Sequence, residues 1–106
     1  MASDDNYLPY LVVAIKSISL HSSNEYVYDV KILNNGLSRS SVRKLRHLDF
    51  GNVEISFVDV ERAVAAFRED LSVRLRDYYS EAIFYRMFIA SMFPRMTKAI
   101  YIDCDV

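Results

Sequence analysis

Apolar residues recur at intervals of three and four near the front of the chain, at Leu8, Leu11, Val12, Ile15 and Ile18. This spacing predicts an amphipathic helix over residues 7–21. Asp5 or Asn6 is the expected cap, and Pro9 lies in the first turn, where its missing N–H has no helical partner to lose. The pattern then switches to strict alternation. Tyr28-Asp29-Val30-Lys31-Ile32-Leu33 reads as a strand that runs into the turn Asn34-Asn35-Gly36. Ser38 caps a second predicted helix with Val42, Leu45 and Leu48 facing inward and Arg39, Arg43, Lys44 and Arg46 on a solvated basic face. After Gly51-Asn52, Val53-Glu54-Ile55-Ser56-Phe57-Val58 alternates again, as a second strand closed by Asp59. A short helix over 61–68 and a polar connection over 69–77 follow. Residues 80–93 are apolar on most sides, with Ile83, Phe84, Met87, Phe88, Ile89, Met92 and Phe93, and predict a deeply buried helix ended by Pro94. Lys98-Ala99-Ile100-Tyr101-Ile102 is the expected last strand, with Asp103 and Asp105 at its C-terminal end.

The order helix, strand, helix, strand, helices, strand predicts an α/β fold: a mainly parallel sheet with helices on both faces and right-handed crossovers. Such a domain normally opens on a strand. Here only Met1-Ala2-Ser3 precede the acidic pair Asp4-Asp5, so the first strand reads as mostly missing. The acidic pair then lies in the loop after it, at the edge where open α/β sheets bind ligands.

Composition narrows this picture without changing it. A length of 106 residues corresponds to one domain or part of one, and 52% hydrophobic residues with two Gly and two Pro describe a compact core rather than disorder. A net charge of -1 supplies no global attraction to nucleic acid or an acidic membrane. The single Cys104 excludes an internal disulfide and fits a reducing compartment. No apolar run is long enough for a membrane span, and the front of the chain is unlike a signal peptide, so a cytoplasmic location is expected.

Asp103 and Asp105 carry the first candidate chemistry. If the strand stays extended through them, both side chains point the same way, and carboxylate oxygens suit Mg²⁺ or Mn²⁺ that takes its remaining ligands from water and phosphates. A strand that simply ends in polar residues gives the same pattern. Arg86 is the only charge in the apolar stretch between Ala82 and Pro94, which calls for an anionic partner: a strand-end aspartate, a ligand phosphate, or a route to the surface by snorkelling. Asp4, Asp5, Asn6 and Tyr7 group acceptors, an amide and a ring at a helix start, a set that could read a base and ribose or merely cap the helix. His21 and His47 lack ligand spacing, and Tyr78 and Tyr79 serve packing or ligand stacking. Cys104, flanked by aspartates, is a poor thiolate and is not read as a nucleophile.

Six blocks, in order, resemble the retaining glycosyltransferases of family 8: Ala2-Ser3-Asp4-Asp5-Asn6-Tyr7, Val13-Ala14-Ile15-Lys16-Ser17-Ile18, Leu33-Asn34-Asn35-Gly36-Leu37-Ser38, Ile55-Ser56-Phe57-Val58-Asp59-Val60, Tyr85-Arg86-Met87-Phe88-Ile89 and Ala99-Ile100-Tyr101-Ile102-Asp103-Cys104-Asp105-Val106. The resemblance implies a Rossmann-like GT-A fold that binds a UDP-sugar, UDP-galactose or UDP-glucose, and transfers its hexose to a glycan acceptor, as in lipopolysaccharide or cell-surface glycan synthesis. It implies Ala2, Asp4, Asn6, Tyr7 and Cys104 at the nucleotide, with Tyr7 stacked on uracil. It implies Asp103 and Asp105 at Mn²⁺ or Mg²⁺, and Arg86 at the donor sugar or diphosphate.

In that family the chain continues well beyond Asp-x-Asp to an acceptor site and a further metal-binding histidine. Residues 1–106 are therefore expected to be a partial nucleotide-sugar-binding domain, truncated after the motif, with weak or no transferase activity alone. The reduced first strand is expected to leave two inner sheet edges open to self-association. Two other classes compete. A noncatalytic nucleotide-binding or assembly module would use the same residues without transfer, and a phosphoacceptor receiver domain would use Asp59 at a strand end.

Overall fold

The computed structural model describes residues 1–64 and 85–105. Its sheet pairs β1 (Tyr28–Asn34) with β2 (Val53–Asp59) in parallel, in register from Tyr28↔Val53 to Asn34↔Asp59. The two-residue period sorts the side chains: Tyr28, Val30, Ile32, Ile55 and Phe57 share one face, and Asp29, Lys31, Leu33 and Val58 the other. The crossover between the strands is α2 (Arg39–His47), preceded in the chain by α1 (Leu8–His21).

The first face is covered by both helices. Leu11 and Ile15 of α1, Ile32 of β1 and Leu45 of α2 are completely buried together, with Phe50 and Val53 beside them. Burial of a branched aliphatic side chain of this kind stabilises by about 1.5–3 kcal/mol, so these four positions contribute strongly to the packing of this face. The second face is apolar only toward its C-terminal end. There Ala2, Leu33 and Val60 meet Tyr85, Ile89, Met92, Phe93 and Tyr101, whereas Asp29 and Lys31 form a 2.8 Å ion pair at the other end. Val60 opens α3 (Val60–Val64). A single 3-10 turn (Arg86–Phe88) leads into α4 (Ile89–Met92).

The three N-terminal residues extend the sheet on the free side of β1. Leu33 N–H donates to the Met1 carbonyl at 2.8 Å, Ser3 N–H donates to the Leu33 carbonyl at 3.0 Å, and Ala2 and Leu33 form a parallel bridge. One of the two inner edges expected to be open is therefore partly paired.

Several expectations need correction. The stretch 98–102 alternates, but among the described residues it forms no ladder, and Ile100 is 78% exposed. Met1 O and Ser3 N are committed to β1, which leaves Ala2 as the one residue of 1–3 whose backbone groups point away from β1, too few for a ladder. Within residues 98–102, Tyr101 packs against Ala2, Leu33 and Val60. The helix expected over 80–93 is not deeply buried in its described part: Tyr85, Ile89, Met92 and Phe93 pack on the sheet, while Met87 is 68% exposed, because only one apolar face is available to it. Leu48 is 45% exposed; it lies in the C-cap, where the chain has left the helical path that kept Leu45 inward. The helix expected to reach residue 68 is described as α3, and the connection 69–77, Tyr78, Tyr79, Ile83 and Phe84 lie outside the described residues. Among the described residues no helix is long and apolar enough to cross a membrane.

Candidate functional site

Ser3, Asn34 and Asp59 end three parallel extended segments at the same edge of the sheet, so the loops that follow them emerge together. Asn34 builds the middle loop. Its buried amide donates to the carbonyls of Ile32 and Val58, both at 3.2 Å, while its Oδ1 accepts from the N–H groups of Gly36 and Leu37, also at 3.2 Å. Gly36 has φ +87° with no atom within 4 Å of where a Cβ would stand, so backbone conformation, not crowding, calls for glycine. Ser38 then caps α2, its hydroxyl accepting from Ser41 N–H at 3.2 Å.

The first loop is shaped by its two aspartates in different ways. Asp4 Oδ1 accepts from the N–H groups of Asn6 (2.9 Å) and Tyr7 (3.0 Å), which folds the loop on itself and leaves both side chains exposed. The Tyr7 ring lies 5.8 Å from that of Tyr10. Neither Asp5 nor Asn6 caps α1, as the sequence had suggested: Tyr7 is the N-cap, without a side-chain bond, and Asp4 does the work of an Asx turn. Asp5 reaches α2 instead, accepting from the Ser41 hydroxyl at 2.6 Å and from Ser38 N–H at 3.1 Å. These bonds, that of Ser41 first, hold its carboxyl below the usual carboxylate range.

The C-terminal segment returns to the same edge. Tyr101 packs with Ala2 and Leu33, and Cys104 is buried in the same cluster as Met1. Burial, a hydrogen bond with Asp103 and that carboxylate's charge push the Tyr101 phenol up to about 12, opposed by the nearby Arg86 guanidinium. Burial and the charge of Asp105 raise the Cys104 thiol, against hydrogen bonds that include one from Ser3. A raised thiol pKa disfavours the thiolate form that a nucleophile needs. The Met1 amine donates to the Lys31 carbonyl at 3.0 Å and is lowered by burial, against the pull of Cys104 and Asp103.

The structure thus brings Ala2, Tyr101, Asp103, Cys104 and Arg86 to one neighbourhood, beside the loop that carries Asp4, Asn6 and Tyr7. Arg86 is exposed, not buried, so its charge needs no protein partner. Residues 98–103 form no regular element and Cys104 and Asp105 form a turn, so strand alternation does not carry to Asp105. Among the described residues no three His, Cys, Asp or Glu side chains gather as a metal cluster. Asp103 and Asp105 are exposed carboxylates, a hard-oxygen pair that fits a cation completing its shell with phosphate and water. Sequence reasoning missed Ser3 and Tyr101, although the alternation of 98–102 already set Tyr101 apart from Ile100 and Ile102. It also missed the Asp5 contact, of which the Ser38-x-x-Ser41 spacing was the one visible half. Asp59 accepts from Arg62 N–H at 3.3 Å, ion-pairs with Arg62 Nε at 3.7 Å and is followed at once by α3. It serves as a helix start rather than the presented acid a receiver domain requires.

The described residues thus form a small parallel βαβ unit with acidic loops at one strand-end edge, the edge at which open α/β sheets generally bind ligands. The family described as Glycosyl transferase family 8 matches residues 1–106, the whole chain. The chain belongs to glycosyl transferase family 8, a generally metal-dependent family that implies a nucleotide-sugar donor and an acceptor. No curated protein and no solved structure gives a significant match to it.

Proposed function

We propose that residues 1–106 form the nucleotide half of a hexosyltransferase site on a Rossmann-like GT-A scaffold, taking UDP-galactose or UDP-glucose with Mn²⁺ or Mg²⁺. The observation that carries this is the meeting of Ala2 with Tyr101 and the burial of Cys104 in one cluster with Met1, which brings the start of the Asp4 to Tyr7 loop near the Asp-x-Asp turn. Backbone groups at Ala2 and Cys104, the Asp4 carboxylate and the Asn6 amide would read uridine, and the exposed Tyr7 ring would stack on the base. Asp103 and Asp105 would hold the cation, which when bound neutralises the diphosphate leaving group. Arg86, exposed near Tyr101 and Asp103, is free to reach the diphosphate or donor sugar, and its fixed charge and fork of donors suit both. The reaction would retain the configuration at the anomeric carbon and serve lipopolysaccharide or cell-surface glycan synthesis in the cytoplasm.

Calorimetry with UDP in the presence of Mn²⁺ tests this. Binding heat is expected from the wild-type chain and should vanish with EDTA or in Asp103→Ala. Heat that survives in Asp103→Ala, or no heat from the wild type, overturns the proposal. Binding without turnover of either UDP-hexose is the result expected of a nucleotide half alone, and turnover by residues 1–106 would contradict it.

A further inference from the structure

We infer that Asp5 is a positioning residue that moors the Asp4 to Tyr7 loop onto the N-terminus of α2, and so holds Asn6 and Tyr7 ready for a nucleotide. The inference rests on the proposed nucleotide reading of that loop.

Asp5 is an exposed side chain, yet both its oxygens are engaged by α2. Oδ1 accepts from Ser38 N–H (3.1 Å), the Ser38 hydroxyl (3.2 Å) and the Ser41 hydroxyl (2.6 Å), and Oδ2 lies 3.3 Å from the same Ser38 N–H. These partners are 33 and 36 residues away in sequence. A carboxylate gains from this place because the first turn of a helix presents unpaired N–H groups and a partial positive charge, and hydrogen bonds to an ionised acceptor are about twice as strong as neutral ones.

What Asp5 is tied to is itself fixed. Asn34 clamps the loop leading into α2 from the end of β1, and Leu45 inserts α2 into the core with no exposure. The loop, by contrast, has little packing of its own: Asp4, Asp5, Asn6 and Tyr7 are all exposed, and its internal support is the Asp4 turn. The two acids therefore divide the task. Asp4 gives the loop its shape, and Asp5 gives it its place relative to the sheet. A side chain held in place before the ligand arrives spares binding the cost of ordering it.

Asp5→Ala, Asp5→Asn and Ser41→Ala test this through two readouts, both taken well below each variant's melting temperature. The first is amide hydrogen exchange without nucleotide. Asn6 and Tyr7 should exchange at least about tenfold faster in Asp5→Ala while Leu45 keeps its protection, the change expected when a charge-assisted bond is lost. The second is affinity for UDP with Mn²⁺, which should fall by roughly tenfold in Asp5→Ala, less in Asp5→Asn, and no further when Ser41→Ala is added. Faster exchange with unchanged affinity would make the mooring purely structural and overturn the inference, as would unchanged exchange. A wild-type chain that binds no UDP removes the nucleotide reading itself, and the exchange rates then still decide whether Asp5 orders the loop.

Discussion

Asp4 and Asp5 are chemically identical neighbours, and their separation into a turn former and a tether was not legible in the sequence. Capping, ligand contact and tethering all use the same carboxylate acceptor, and the partner that distinguishes them, Ser41, is 36 residues away. Ser38, by contrast, was legible as a cap, since its spacing to the helix start is local. Ser38→Ala is expected to cost about 1 kcal/mol, the usual loss for an N-cap, read as a lower urea midpoint at unchanged slope. Asp5 also sets a pH signature. Its folded pKa is lowered from 3.8, so its contribution is present above that value and is lost as pH falls through the lower folded value. Asp5→Asn should flatten the acid limb of the stability curve below about pH 4. Cys104 has the opposite sign: its folded pKa is raised from 9.0, so the folded state holds the proton more tightly and stability declines as pH climbs past that value. Alkylation by iodoacetamide should accordingly be slower than that of an ordinary thiol and require a higher pH to reach the same rate. The flanking aspartates hinted at that direction in the sequence; the larger cause, burial against Met1, did not appear there.

Elements whose pattern and partner were both secure came out as read. α1, β1, α2 and β2 fall where periodicity put them, because each has a face that the others cover. Residues 98–102 show the limit of pattern: alternation gives a strand its two faces but not its neighbour, and among the described residues no ladder forms there. The same distinction applies within α2. Leu45 and Leu48 are both apolar at helical spacing, yet one is fully buried and the other lies at the C-cap, 45% exposed. Leu45→Ala should therefore cost about 2–5 kcal/mol and Leu48→Ala no more than about 0.5 kcal/mol, a contrast that denaturation of the two variants checks directly.

At the scale of the whole molecule, the two acidic segments at opposite ends of the chain come to one sheet edge. Sequence order already placed both at strand ends, and the family resemblance tied them to one ligand. What it could not supply was the means: three N-terminal residues paired to Leu33, Tyr101 packed on the far face, and Cys104 buried against the first residues. The opposite edge is closed by unrelated contacts, where Asn52 donates to the carbonyls of Ser23 (2.7 Å) and Tyr26 (2.9 Å). That polarity gives the most direct test, which is to add Mn²⁺ with UDP to the isotopically labelled chain and map which amide signals the paramagnetic ion broadens. The expected result is joint broadening of residues 2–7 and 103–105, with Ser23, Tyr26 and Asn52 left sharp. Broadening of only one acidic segment, or of the α2 arginine face in place of both, would contradict a shared nucleotide and metal site.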